Sequence, residues 1–315
     1  MQLKPESIRT VFMGTPEFAL DTFQGLIDFG LNMVGAYTQP DRPKGRGKKM
    51  AAPPVKELAQ KYEIPVFQPQ KLREPEVVEE LKALQPDLIV VVAYGQILPK
   101  SVLEIPQYGC INVHASLLPK YRGAAPINKV IVDGETESGV TTMYMDVGLD
   151  TGDMLIKRSC PIGENETAGE LHDRMAKLGR DAMEETLRQI CDGTLQAEKQ
   201  DDALTCYAPM MKKEDGLIDW SQPAQVVHNL VRGLDPWPGA YTYLDGEVLK
   251  VSATKVETDL SGKPGEILSA DKTGVRVACG DGGLVIDGLQ LPGKKKLAAV
   301  NFLSGKPLFA GTVLG

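Results

Sequence analysis

Apolar residues in the first half of the chain fall into short runs separated by stretches of helical spacing, the pattern of a parallel sheet covered by helices on both faces. SIRTVFMG predicts a strand ending at Gly14. Thr15 can cap and Pro16 suits a first helical position, so TPEFALDTFQGLIDF predicts a helix directly after that strand. NMVGAYTQ predicts a second strand. Beyond a basic loop come a helix in PPVKELAQKY, a strand at IPVFQ and a helix in EPEVVEELKAL. PDLIVVVAYG is apolar on both faces, which places it at the centre of the sheet, buried from above and below. GCINVHAS is another strand, PINKVIVDG a short helix, and SGVTTMYMDVGLDTGDMLIKRSCPI two strands around a Gly-Asp turn. The helical spacing of LHDRMAKLGRDAMEETLRQI closes this part.

DGTLQAEKQDDALTCYAP then has no clear period and reads as a linker over 190–207. Beyond it a helix, AQVVHNLVRGL, precedes the short strands AYTYL, EVLKVSA, PGEILSA, GVRVACG and GLVIDGLQL, with Asp245 and Gly246 making a hairpin turn between the first two. Five such strands in roughly 80 residues predict a small OB-like barrel, although a sandwich would show the same pattern. The expected organisation is therefore a doubly wound, mostly parallel α/β unit over 1–189, a linker over 190–207 and a β-barrel over 208–315.

The chain has 315 residues, room for two domains at about 150 residues each. A hydrophobic fraction of 42% with 24% charged residues is ordinary globular composition, which excludes disorder and collagen. The longest apolar run, in PDLIVVVAYG, is far short of the roughly 20 residues of a membrane helix, and MQLKPESIRT lacks the pattern of an export signal. Cys110, Cys160, Cys191, Cys206 and Cys279 form no C-x-x-C pair, and His114, His172 and His228 lie far apart. Neither a disulfide framework nor a metal is expected, and a reducing cytoplasm is the predicted setting. The net charge of −7 resides entirely in the first 207 residues, since 208–315 are neutral. Within that acidic part, DRPKGRGKK over 41–49 carries five positive charges against one negative. Taken alone, such a run is a solvated loop. It is also what a phosphate-rich partner requires, because local charge steers encounter.

The first strand ends on a single glycine without G-x-G-x-x-G or a Walker A sequence, so neither dinucleotide binding nor nucleotide hydrolysis is predicted. No G-x-S-x-G elbow is present. The candidate chemistry lies in GCINVHASLLPKYRGAAP. Alternation along a strand puts Asn112 and His114 on one face and Ile111 and Val113 on the other, so a polar pair interrupts a core-directed strand. His114 then falls near the carboxyl end of its strand, where open α/β sheets bind ligands. A lone histidine there would read as a core residue paired with an amide, but the irregular loop LLPKYRGAAP beside it favours function. An acid that fixes its tautomer should face it. Asp146, Asp150 and Asp153 in YMDVGLDTGDML are the candidates, with Asp150 modestly preferred over Asp146 because glycines flank it.

At these residues the sequence resembles the folate-dependent formyltransferase family. The matching pieces are FMGTPEFA, TQPDRPKGRGKKM, VVAYGQILP, INVHASLLPKYRGAAPI and MDVGLDTGDML, in family order, continued more weakly by LIDW and DPWPGAY. The resemblance implies transfer of a formyl group from 10-formyltetrahydrofolate to the amino group of methionine on initiator tRNA. It implies catalytic roles for Asn112, His114 and Asp150. It implies folate contacts from Tyr94, Gly95, Gln96, Ile97 and Leu98 and from Ser116, Leu117, Leu118 and Pro119. It assigns the basic insertion, with Arg42, Lys44, Arg46, Lys48 and Lys49, to the tRNA acceptor end, and gives the second domain a tRNA-binding role in a monomer. Attack by an amine on a formyl carbon builds an oxyanion that requires aimed donors, which Asn112 and His114 can supply, with Asp150 helping to move the proton.

Three other readings compete. A glycinamide ribonucleotide formyltransferase would have no reason for the basic insertion or the barrel. A sugar-nucleotide formyltransferase shares the trio and much of this length, so the basic loop is the main discriminator. An RNA-binding module on a degenerate scaffold would show more exposed aromatics on its barrel strands.

Overall fold

The structure is a computed structural model in which residues 3–44 and 49–315 are described. The chain forms two units. One comprises the residues up to Gly123 with Gly139–Cys160 and His172–Tyr207, the other Ala124–Ser138, Pro161–Leu171 and Ala208–Gly315.

In the first unit a seven-stranded sheet runs in the order Met154–Pro161, Glu137–Tyr144, Cys110–His114, Leu88–Val92, Arg9–Gly14, Asn32–Tyr37 and Val66–Phe67. Neighbours from Cys110–His114 to Val66–Phe67 pair parallel, and Glu137–Tyr144 is antiparallel to Cys110–His114. All five side chains of Leu88–Val92 are buried, as expected of a strand covered on both faces. Each contributes about 1.5–3 kcal/mol of hydrophobic stabilisation. The helices Phe18–Asp28, Pro54–Lys61 and Pro75–Ala83 fall in the predicted connections. Thr15 does not cap the first of them. Its hydroxyl donates to the Tyr94 carbonyl at 2.9 Å, joining the ends of two neighbouring strands, and Glu17 stands at the helix start instead.

The stretch read as a linker is tied to this unit. Glu198 bridges Met154 backbone to backbone, Asp202–Leu204 forms a 3-10 turn and Tyr207–Ala208 pairs with Arg122–Gly123. Side-chain and short backbone pairings of this kind leave no periodicity in a sequence, which is why the segment reads as featureless.

In the second unit an antiparallel sheet runs Ala240–Leu244, Glu247–Glu257, Gly283–Gln290, Gly274–Ala278 and Ile267–Asp271, with Leu297–Ala298 beside Gly283–Gln290. Its first and last strands do not pair with each other, so the expected barrel is open, an arrangement compatible with an OB-like fold. Asp245 and Gly246 have φ of 52° and 79°, the two positive values that a tight hairpin turn of the I′ type requires. The sequence pattern misses the helix Ala299–Gly305, which drops Ala299 and Phe302 into the core with Trp220 and Ile267. The helix Pro126–Val132 packs against Ala224–Gly233, and the Asn128 amide donates to the Gly233 carbonyl at 2.8 Å. Sequence order alone places that helix with the first unit. Among the described residues no helix is long and apolar enough to cross a membrane.

Candidate active site

The strand Cys110–His114 carries Asn112, half-buried, and His114, 6% exposed. Asn112 lies in register with Val91 on one side and Met143 on the other, and its carboxamide has no hydrogen-bond partner among the described residues. His114 is engaged from two directions. Its Nε2 donates to the Tyr121 carbonyl at 2.9 Å, and its Nδ1 lies 3.7 Å from Oδ2 of Asp150. A carbonyl only accepts, so the proton on Nε2 is fixed by its partner. Any hydrogen that the ring offers elsewhere must come from Nδ1.

Asp150 is separated from the other two acids by geometry. Its φ is 53°, in the left-handed region that Asp tolerates better than most residues, and its Oδ2 accepts the Gly123 N–H at 2.8 Å. Gly152 completes the turn, since a Cβ at that position would collide with the Tyr144 carbonyl oxygen. Asp146 is exposed and accepts from the amide of its neighbour Val147 at 2.6 Å. Asp153 contributes its carbonyl to Tyr144. Only Asp150 among the three turns its carboxylate to His114.

The two segments expected around folate are mostly pinned by their own contacts. Ser116 is buried with its hydroxyl on the Lys120 carbonyl at 2.7 Å, and Thr141 bonds both the Ser116 carbonyl and the Leu118 amide. Leu118 packs with Met143 and Met154 ahead of a cis bond to Pro119, while Leu117 is half-buried. In the other segment Tyr94 and Leu98 lie in the core. The Gln96 amide is turned back onto the Leu72 N–H at 2.7 Å and the Pro69 carbonyl at 3.0 Å. Gly95, at φ 85°, and Ile97, 88% exposed, are the members open to solvent. Burial pushes the Tyr94 phenol well above its ordinary range, and its hydroxyl has no partner among the described residues. Ile97, Val147 and Leu149 are large apolar side chains left exposed in the segments on either side of the strand Cys110–His114. Among the described residues no group of His, Cys, Asp or Glu could hold a metal ion.

In the basic segment Arg42–Lys44 pairs antiparallel with Lys49–Ala51, Lys44 opposite Lys49. Its base is tied by Asp41, whose carboxylate takes the Lys56 ammonium at 2.8 Å and the Gln68 amide at 2.7 Å. Those two partners, Gln68 first, hold the Asp41 carboxyl below its usual range. Arg42 and Lys49 are exposed, while Arg46 and Lys48 lie outside the described residues. Sequence reasoning missed the Tyr121 carbonyl and the Gly123 amide, the backbone groups that orient the histidine and the acid. The run K-Y-R-G after the strand, with Tyr121 at φ 59° and Gly123 at φ 119°, was their only trace.

The chain belongs to the formyl transferase family: residues 8–187 match the formyl transferase domain and residues 210–307 the formyl transferase C-terminal domain. Among individual relatives it is similar to the methionyl-tRNA formyltransferase of Citrifermentans bemidjiense, with 61% identity over 98% of this chain and 96% of that one. Two solved structures share the fold. WlaRD, a sugar 3N-formyl transferase crystallised in the presence of dTDP and 5-N-formyl-THF, superposes with TM-score 0.68 at 19% identity, covering 91% of this chain and 99% of that chain. HypX from Aquifex aeolicus in complex with tetrahydrofolic acid gives 0.65 at 20% identity, covering 94% of this chain and 47% of that chain, so this chain spans about half of HypX.

Proposed function

We infer that this chain transfers the formyl group of 10-formyltetrahydrofolate to the free amino group of methionyl-initiator tRNA, giving formylmethionyl-tRNA and tetrahydrofolate. The observation that carries the reading is the meeting of His114 and Asp150 beside the unpaired Asn112 amide, in a chain alike over almost its whole length to a methionyl-tRNA formyltransferase.

The chemistry assigns each side chain a task. The amine nitrogen bonds to the formyl carbon, the bond from that carbon to the folate nitrogen breaks, and one proton passes from amine to leaving nitrogen. Negative charge gathers on the formyl oxygen, where the Asn112 amide hydrogens can meet it without first breaking another bond. With Nε2 committed to Tyr121, His114 acts through Nδ1, the edge it shares with Asp150. Asp150 balances positive charge at that edge and provides a route for the proton. The segments 94–98 and 116–119 would line the folate. Arg42, Lys44, Arg46, Lys48 and Lys49, with help from the second unit, would meet the tRNA phosphates. We place this work in the reducing cytoplasm that the cysteine usage predicts, and we take the acting species to be a monomer.

The test is incubation with 10-formyltetrahydrofolate and charged initiator tRNA, followed by analysis for formylmethionine, beside a parallel reaction offering a sugar-nucleotide amine. Formylation of the sugar alone would replace this reading.

A further inference from the structure

The acid of the proposed site is gripped from the segment that the sequence presents as a linker. Nε2 of Gln200 donates to two backbone carbonyls of the acidic turn, Asp150 at 2.8 Å and Gly152 at 2.7 Å. Oε1 of the same amide accepts from Nε of Arg122 at 3.0 Å. Arg122 is 2% exposed, and its guanidinium also reaches Asp202 at 2.8 Å while its backbone N–H donates to the Cys206 carbonyl at 3.0 Å. The chain on either side of Arg122 contacts the two reacting groups directly: the Tyr121 carbonyl holds His114 and the Gly123 amide holds Asp150. Three consecutive residues therefore touch the histidine, the glutamine and the acid.

Resting on the reading of His114 and Asp150 as the proton-handling pair, we propose that Gln200, clamped by Arg122, is a positioning residue that fixes the left-handed turn at Asp150 and so aims its carboxylate at His114. The residue type follows from the bonds it makes. Two carbonyls need two hydrogens from one group, and the buried guanidinium needs an acceptor, so a carboxamide satisfies both sides. A left-handed residue persists only where its surroundings hold it, and here the amide closes the turn from outside.

Gln200→Glu separates the two tasks. It keeps an acceptor for Arg122 and turns carboxylate oxygens toward the Asp150 and Gly152 carbonyls, where repulsion replaces two hydrogen bonds. In the full-length chain we expect kcat for formyl transfer to fall roughly 10- to 100-fold, the scale of a slightly misplaced catalytic group. KM for the folate and for charged tRNA should stay within about twofold. Gln200→Ala should show the same split, and it serves in the same measurements if the glutamate variant melts early. Added to Asp150→Ala, either change should cost no further turnover, because nothing is left to aim; a merely structural glutamine would slow both backgrounds by the same factor. Near-normal kcat in both Gln200 variants, or losses that multiply with Asp150→Ala, overturns the proposal. Normal turnover by Asp150→Ala alone removes the catalytic reading itself, and the positioning role with it, so the two failures are told apart.

Discussion

His114 faces Asp150 across 3.7 Å through a single nitrogen, because its other nitrogen is spent on the Tyr121 carbonyl. The ring therefore cannot turn over to present its opposite edge without giving up a buried hydrogen bond. What the ring can offer a ligand is confined to the side where the acid stands. Asn112, two positions earlier on the same strand, is left with its hydrogens uncommitted.

That division of labour predicts the effect of removing each member. Asn112→Ala, His114→Ala and Asp150→Ala should each lower turnover by at least about a hundredfold, the usual scale for loss of an oxyanion donor or an acid–base group. Single-turnover formylation, with circular dichroism to confirm folding, checks this. A folded variant that keeps wild-type turnover would strip that residue of its role.

Gly152→Ala probes the acidic turn without touching a charged group. The added carbon meets the Tyr144 carbonyl, so the turn must shift and carry Asp150 away from His114. We expect kcat to fall by roughly tenfold or more, with about 1–3 kcal/mol of stability lost. Wild-type values in both assays would mean that the turn relaxes without moving the acid.

The basic segment yields a prediction about salt. Arg42→Ala, Arg46→Ala and Lys48→Ala made together should weaken use of charged tRNA and flatten its dependence on ionic strength, since fewer counterions are released from phosphates. Folate binding should be unchanged. The measurements are kcat/KM for tRNA at several salt concentrations and folate titration by fluorescence. An unaltered slope would return this segment to the role of a solvated loop.

Much of this was legible in the sequence for a physical reason. Periodicity reports burial, and the five apolar residues of Leu88–Val92, the alternation around Asn112 and the Asp-Gly turn at 245–246 are all consequences of burial or backbone sign. The preference for Asp150 over Asp146 rested on its flanking glycines, and Gly152 is indeed where a side chain would not fit. Contacts made by backbone carbonyls or by distant amides leave no such period. Gln200 and the Tyr121 carbonyl leave no sign for that reason, and the segment 190–207 reads as featureless although the Gln200 side chain within it is bonded to the turn that holds the acid.

A pH effect belongs to the second unit. His228 is buried, its Nε2 donating to the Glu164 carbonyl and its Nδ1 accepting from the Thr254 hydroxyl. Burial, opposed by the Glu164 carbonyl and aided by nearby Arg232, lowers its pKa from the ordinary 6.5. The unfolded chain thus takes up this proton at a higher pH than the folded one. The contribution of the neutral ring to stability is complete above about pH 6.5 and declines as pH falls toward the lowered folded value. Denaturation at pH 7 and pH 5 should show a smaller loss for His228→Gln than for the wild type, and equal losses would assign the acid sensitivity to other groups.

The path of the chain has a practical consequence for grafting. Ala124–Ser138 and Pro161–Leu171 are interleaved with stretches of the first unit yet fold with Ala208–Gly315, and the helix Pro126–Val132 buries Val130 and Ile131 in that company. A chimera that exchanges only the carboxyl-terminal hundred or so residues with a relative would therefore transplant a module without its own inserts. Successful exchange requires that both insertions travel with it, or that the recipient supply side chains at positions 128 and 132 that fit against Gly233 of the incoming module.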